Sequence, residues 1–178
     1  MAEIESNKQK GSSHKFQKLF YIAQIGLRIG TLATSLAAAI LTVTNIGTIE
    51  LIPGFPIVAK YSYEGSFTYL AAANFIAAAF SLLSLIAVAV LGRPGSNPTN
   101  YFYFFIGDLL TLSLELSAIG AATAIGLLAK NGNNRIGWPA ICGFATKFCN
   151  RGMISIVFAY FAMVKLVMLT IISATKSR

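Results

Sequence analysis

The chain has 178 residues, of which 56% are hydrophobic and 11% charged, with a mean hydropathy of +0.69. Average domains carry about 25% charged residues, so this composition is that of a membrane protein, and no polar segment is long enough to bury a soluble core of its own. The formal net charge of +8 sits in tails and loops, which makes membrane lipids, and not nucleic acid, its expected counter-charge.

Residues 1–17 are polar, with Lys8, Lys10, His14 and Lys15, and read as a disordered cytosolic tail. The first span covers about 19–45, entered through Phe16, Phe20 and Tyr21 at headgroup level. Gln24, Arg28, Thr31, Ser35 and Thr42 recur at helical steps and form one polar stripe. Gly26, Gly30, Thr34 and Ala38 form a second stripe of small residues, with Gly26 and Gly30 in GxxxG spacing, suited to close helix packing. A cleaved signal peptide is the rival reading, because Ala37 to Ala39 resembles a cleavage site, but the apolar run is longer than a signal peptide's.

A loop with Pro53, Gly54 and Pro56 follows, then a second span over about 68–91 with Asn74 its most polar group. Gly92, Pro94, Gly95 and Pro98 supply turn chemistry before the third span, about 102–128. That span carries Asp108 and Glu115, two helical turns apart, with Thr111 between them on the same face. Its other face carries Ser113, Ser117, Gly120 and Ala124, small enough for another helix to approach. A helix polar on one face and small on the other predicts neighbours on both sides. The second long loop holds Trp138, Cys142 and Cys149; the fourth span, about 152–174, carries Lys165, and 176–178 form a short cytosolic tail. The expected fold is an all-α membrane protein, a four-transmembrane-helix bundle.

Four spans put both termini on one side. Lysines before the first helix, with Lys176 and Arg178 at the end, place that side in the cytosol. Lys130, Arg135, Lys147 and Arg151 in the second loop oppose this orientation, but the first helix usually dominates. Both cysteines then fall in an outer loop, where a Cys142–Cys149 disulfide and two free thiols are both open.

Charges inside a bilayer are costly and are normally turned inward and paired. Arg28 lies about 12–15 Å into the first span and Asp108 about 9 Å into the third from the same side, at ~1.5 Å per residue. This predicts an Arg28–Asp108 pair. Glu115 and Lys165 also reach similar depths, which gives a second pairing expectation. Structural pairing competes with a proton or ion path, and so a non-enzymatic scaffold competes with a small channel or transporter using Asp108, Glu115 and Lys165. The acids and bases balance, and no broken helix or inverted repeat appears, which favours structural pairing. No catalytic, metal-binding or cofactor-binding constellation is present; His14 is the one histidine and has no metal partner.

The pattern as a whole resembles the plant Casparian strip membrane domain proteins and their wider CASP-like family, similar in topology to MARVEL-domain proteins. The features that carry it are Arg28 within LRIGTLATSLAAAILTVTN, SYEGSFTYLAAANFIAAAFSLLSL entering the second span, Asp108, and WPAICGFATKFCNR with Trp138, Cys142, Phe148 and Cys149. The resemblance implies a plasma-membrane, multi-pass protein with cytosolic termini, Arg28 and Asp108 as characteristic charged residues, and Cys142 and Cys149 as outer-loop cysteines. It implies homodimers and heterodimers with relatives. From the strip-forming members it also implies an immobile platform that recruits secreted cell-wall enzymes. It does not extend to Glu115 and Lys165. The strip-forming members carry a characteristic stretch in the first outer loop; here that region reads IELIPGFPIVA, which points to a CASP-like relative outside the strip-forming group.

Overall fold

Four long helices alternate in direction and close into a ring. The computed structural model describes the backbone of residues 2–52, 55–91, 98–135 and 137–177, and the side chains of 18–48, 56–90, 102–135 and 137–175. The helices are α1 (Ala2–Val43), α2 (Gly65–Leu91), α3 (Pro98–Asn131) and α4 (Thr146–Ser177). Each contains a stretch long and apolar enough to cross a membrane: Lys18–Val43, Gly65–Val90, Phe102–Asn131 and Thr146–Thr175. Helix α1 packs on α2 and α4, and α3 packs on the same two, so α1 and α3 face each other across the bundle.

Small side chains set the spacing. Ala38, Ala73, Ala118, Ala122 and Ala159 are fully buried with Leu70, Ile119 and Ile156, and the short side chains let the backbones approach. The outer faces are apolar: Leu83, Val90, Leu110 and Ile171 are all exposed. Polar residues inside and large apolar ones outside is the arrangement a bilayer demands.

Three details depart from the sequence reading. Residues 2–17, expected as a disordered tail, continue helix α1; Glu3, Glu5, Lys8, Gln9 and Lys10 are all good helix formers. Helix α4 starts at Thr146, six residues before the expected 152, because a helix can extend past the hydrocarbon on polar residues such as Lys147 and Asn150. The first loop is not irregular: β1 (Ile46–Ile52) pairs antiparallel with β2 (Phe55–Lys60), from Ile46 opposite Lys60 to Ile52 opposite Phe55. Pro56 is accommodated because each strand of a two-stranded sheet is an edge. The Pro-Gly pair flanked by β-branched runs was the available signal.

Local chemistry explains the helix ends. Helix α3 opens on Pro98, whose missing N–H would have had no partner there. It closes on Gly132, whose N–H bonds the Leu128 carbonyl at 2.8 Å and whose φ is +68°, a left-handed cap that suits glycine. Asn133 and Trp138 then exchange backbone hydrogen bonds of 2.8 and 3.0 Å. A Cβ on residue 132 would lie 2.7 Å from the Trp138 carbonyl oxygen and 2.9 Å from the Ala140 nitrogen. Gly132→Ala therefore combines left-handed strain of about 1–2 kcal/mol with a backbone clash. The expected result is a displaced Trp138 loop above an intact bundle. Trp138 is the sole tryptophan, so its fluorescence and quenching report the loop directly; unchanged emission would refute the clash.

Candidate functional site

A polar seam runs through the bundle, built from side chains that recur at helical spacing on each helix. Gln24, Arg28, Thr31, Ser35 and Thr42 of α1 are buried, as are Asn74, Ser81 and Ser84 of α2, Asp108, Thr111 and Glu115 of α3, and Ser155, Thr170 and Ser173 of α4. Most of the hydroxyls bond a carbonyl of the preceding turn, as Thr31 does to Leu27 at 2.9 Å and Thr111 to Gly107 at 2.8 Å. This is how such residues remain satisfied within a helix.

The seam has three tiers. In the first, Arg28 Nη1 donates to Asp108 Oδ1 at 3.2 Å and Nη2 to Oδ2 at 3.1 Å, a two-pronged ion pair with both side chains fully buried. Arg28 Nη1 also donates to Ser84 Oγ at 2.5 Å, and Ser173 Oγ donates to Asp108 Oδ2 at 3.1 Å. The Phe104 ring lies 5.2 Å from the guanidinium carbon, within cation–π range. The network thus takes one residue from each of the four helices and crosses the α1–α3 diagonal. Sequence reasoning did not assign Ser84 and Ser173. Their spacing of three from Ser81 and Thr170 within apolar spans was the signal available.

At the opposite end, the Thr42 and Ser155 hydroxyls lie 2.5 Å apart and reach the Ala38 carbonyl at 2.8 and 3.0 Å. Asn45 Nδ2 donates to the Phe148 carbonyl at 3.0 Å. Between these tiers lie Ser35, Asn74, Ser81 and Glu115. Ser35 Oγ, Asn74 Oδ1, Ser81 Oγ and both Glu115 carboxylate oxygens are buried without a hydrogen-bond partner.

Glu115 and Lys165 are not brought together. Lys165 is half-buried at the α1–α4 seam, donates to Thr34 Oγ1 at 3.3 Å, and lays its stem against Gly30. Equal depth was the basis for that expected pair. Depth does not fix direction around the helix, and Lys165 leaves α4 beside the inward-facing Leu166 rather than on its line. A shared interior path through Asp108, Glu115 and Lys165 loses its third member for the same reason.

The packing expectations are also revised. Ser113, Ser117, Gly120 and Gly26 are exposed, and nothing lies within 4 Å of a Cβ placed on Gly26 or Gly120. Ser117 Oγ meets the Tyr69 hydroxyl at 2.7 Å at the edge of the α2–α3 contact. Within the bundle, Ala118 and Ala122 make the close approach instead. A helix in a four-membered ring has one inward face. On α3 the carboxylates occupy it, so the small residues point out.

Trp138 is 53% exposed on the loop beside the Cys142–Cys149 disulfide. That bond ties a 3₁₀ turn, Ile141–Gly143, to the first turn of α4. With seven residues separating the cysteines, loop-closure entropy predicts that Cys142→Ser costs about 2.5 kcal/mol at this end of the structure. Hydrogen exchange is expected to rise over 138–150 and to stay unchanged at Arg28 and Asp108. Equal exchange in both regions would contradict this. Among the described residues no group of three or more His, Cys, Asp or Glu side chains is placed to hold a metal ion.

Comparison with known proteins matches residues 17–165 to the family model for the Casparian strip membrane protein domain. The chain is 46% identical to CASP-like protein 1F2 of Populus trichocarpa over 178 residues, which is 100% of this chain and 98% of that one. It is 48% identical to CASP-like protein 1F1 of Ricinus communis over 164 residues, 92% and 91% of the two chains. It is 32% identical to CASP-like protein 1E1 of Arabidopsis thaliana over 183 residues, 98% and 93% of the two. No solved structure matches.

Proposed function

Because the chain belongs to the Casparian strip membrane protein domain family, we propose that it is a non-enzymatic scaffold that self-associates in the plasma membrane. Its copies form homodimers, heterodimers with related chains, and larger arrays. The termini lie in the cytosol and the Trp138 loop faces the wall, where secreted cell-wall enzymes gather. The observation that carries this reading is the use made of buried charge. Arg28 and Asp108 bind each other and one serine from each of the other two helices, so they hold the bundle together rather than face a substrate. The lipid-facing surface remains for partners. On α3 it presents Ser113, Gly120 and Ala124 among Leu110, Leu116 and Leu127, all exposed, and small residues are what allow helices to associate in lipid.

The test is to count copies of the full chain in lipid nanoparticles cut directly from membranes. Two or more copies per particle are expected, and Gly120→Leu is expected to shift them toward one while leaving the bundle folded. Single copies of the unaltered chain would overturn the proposal.

A further inference from the structure

At the loop end of the bundle a cleft of about 430 Å³ opens between the base of the hairpin and the start of α4. We propose that it binds the headgroup of an anionic membrane lipid, one that carries hydroxyl groups as well as phosphate. Lys147 and Arg151 line it. The one ion pair among the described residues is Arg28–Asp108, so no described carboxylate neutralises either cation. Thr146, Lys147 and Phe148 form the first turn of the 32-residue helix α4 and line the same cleft. Their end of the helix adds a partial positive charge and outward N–H groups. Phosphate is the chemistry these groups take.

A second, independent feature narrows the ligand. Asn45 lines the cleft, is 3% exposed, and directs Nδ2 to the Phe148 carbonyl at 3.0 Å. Its Oδ1 is buried with no partner. A buried acceptor without a donor costs free energy, and a phosphodiester, which has no P–OH, does not supply that donor. A polyol headgroup such as inositol brings both the anion and the hydroxyl donors.

Position favours a lipid over a soluble anion. The cleft sits at the ends of the apolar stretches of α1 and α4, Val43 and Thr146, where a spanning helix meets the headgroups. Its rim is apolar, with Ile46 56% and Phe144 63% exposed. Arg151 Nη1 donates to the Thr44 carbonyl at 3.4 Å, marking the α1–α4 seam. One turn further into the membrane Ile40 and Ile154 are both exposed, a surface for an acyl chain. A basic pocket between membrane helices with an apolar surface below it suits an anionic lipid headgroup, here one in the leaflet that faces the wall.

The test uses the full chain in detergent, probed by native mass spectrometry with phosphatidylinositol, phosphatidylmethanol, phosphatidylcholine, free glycerophosphoinositol and polygalacturonate. Phosphatidylinositol is expected to be retained above the other lipids. Lys147→Gln with Arg151→Gln is expected to lower that retention about twenty-five-fold, from about fivefold per cation. Both side chains are exposed, so the bundle is expected to stay folded. The charge-preserving pair Lys147→Arg with Arg151→Lys is expected to retain the lipid, which separates loss of charge from loss of fold. Equal retention by the unaltered and neutralised chains would overturn the proposal. So would phosphatidylmethanol, an anionic phosphodiester without hydroxyl groups, equalling phosphatidylinositol, or either soluble anion binding as well as the lipid.

Discussion

Arg28→Met is expected to destabilise the bundle by about 3–5 kcal/mol, because it leaves the Asp108 carboxylate charged and unpaired inside the membrane. Asp108→Asn is expected to do the same from the other side, stranding the guanidinium. The measurement is unfolding of the reconstituted protein in mixed micelles with increasing denaturing detergent. The double variant Arg28→Met/Asp108→Leu separates a broken pair from a merely altered core. Two apolar residues replace two charges, and most of the loss is expected to return. The charge swap Arg28→Asp/Asp108→Arg is expected to recover a smaller part. It keeps one attraction but abandons the geometry in which Ser84 and Ser173 each add a hydrogen bond. A double variant as unstable as either single one would mean that the two charges do not act on each other.

The second large effect has the opposite sign. Glu115 is fully buried, and neither carboxylate oxygen has a hydrogen-bond partner. An unsatisfied buried polar group costs about 1–3 kcal/mol, more when charged. Glu115→Leu is therefore expected to stabilise the bundle by about that amount, and Glu115→Gln by less, since its amide also needs partners. Lys165 is directed at Thr34 and Gly30. The double variant Glu115→Leu/Lys165→Met is accordingly expected to be additive within about 0.5 kcal/mol. Coupling well beyond that would restore the Glu115–Lys165 pair. Destabilisation by Glu115→Leu alone would show that the carboxylate has a partner on which the fold depends.

The sequence made one dimension of this structure legible and hid another. Span order and depth follow from hydropathy and a fixed rise per residue, which is why Arg28 and Asp108 were matched before any contact was known. Direction around the helix axis is set by which neighbours close the ring. Lys165 accordingly faces the α1–α4 seam and not Glu115. Ser113 and Gly120 lie on the α3 face opposite the carboxylates, as expected, but no helix of the bundle covers them. The hairpin was missed for a different reason. Pro53, Gly54 and Pro56 are loop chemistry, but Pro-Gly between β-branched runs is also hairpin chemistry. The cleft could not be read from sequence, because Asn45 and Arg151 are 106 positions apart and meet only where α1 and α4 end side by side.

In the proposed function the bundle uses its charges internally and its outer surface to join copies into a platform. The most direct measurement is lateral mobility of the tagged full chain in the plasma membrane of plant cells, by recovery after photobleaching. Slow or absent recovery within discrete patches is the expected result, with faster recovery for Gly120→Leu. Rapid recovery of the unaltered chain over the whole surface would contradict the platform and leave a freely diffusing bundle.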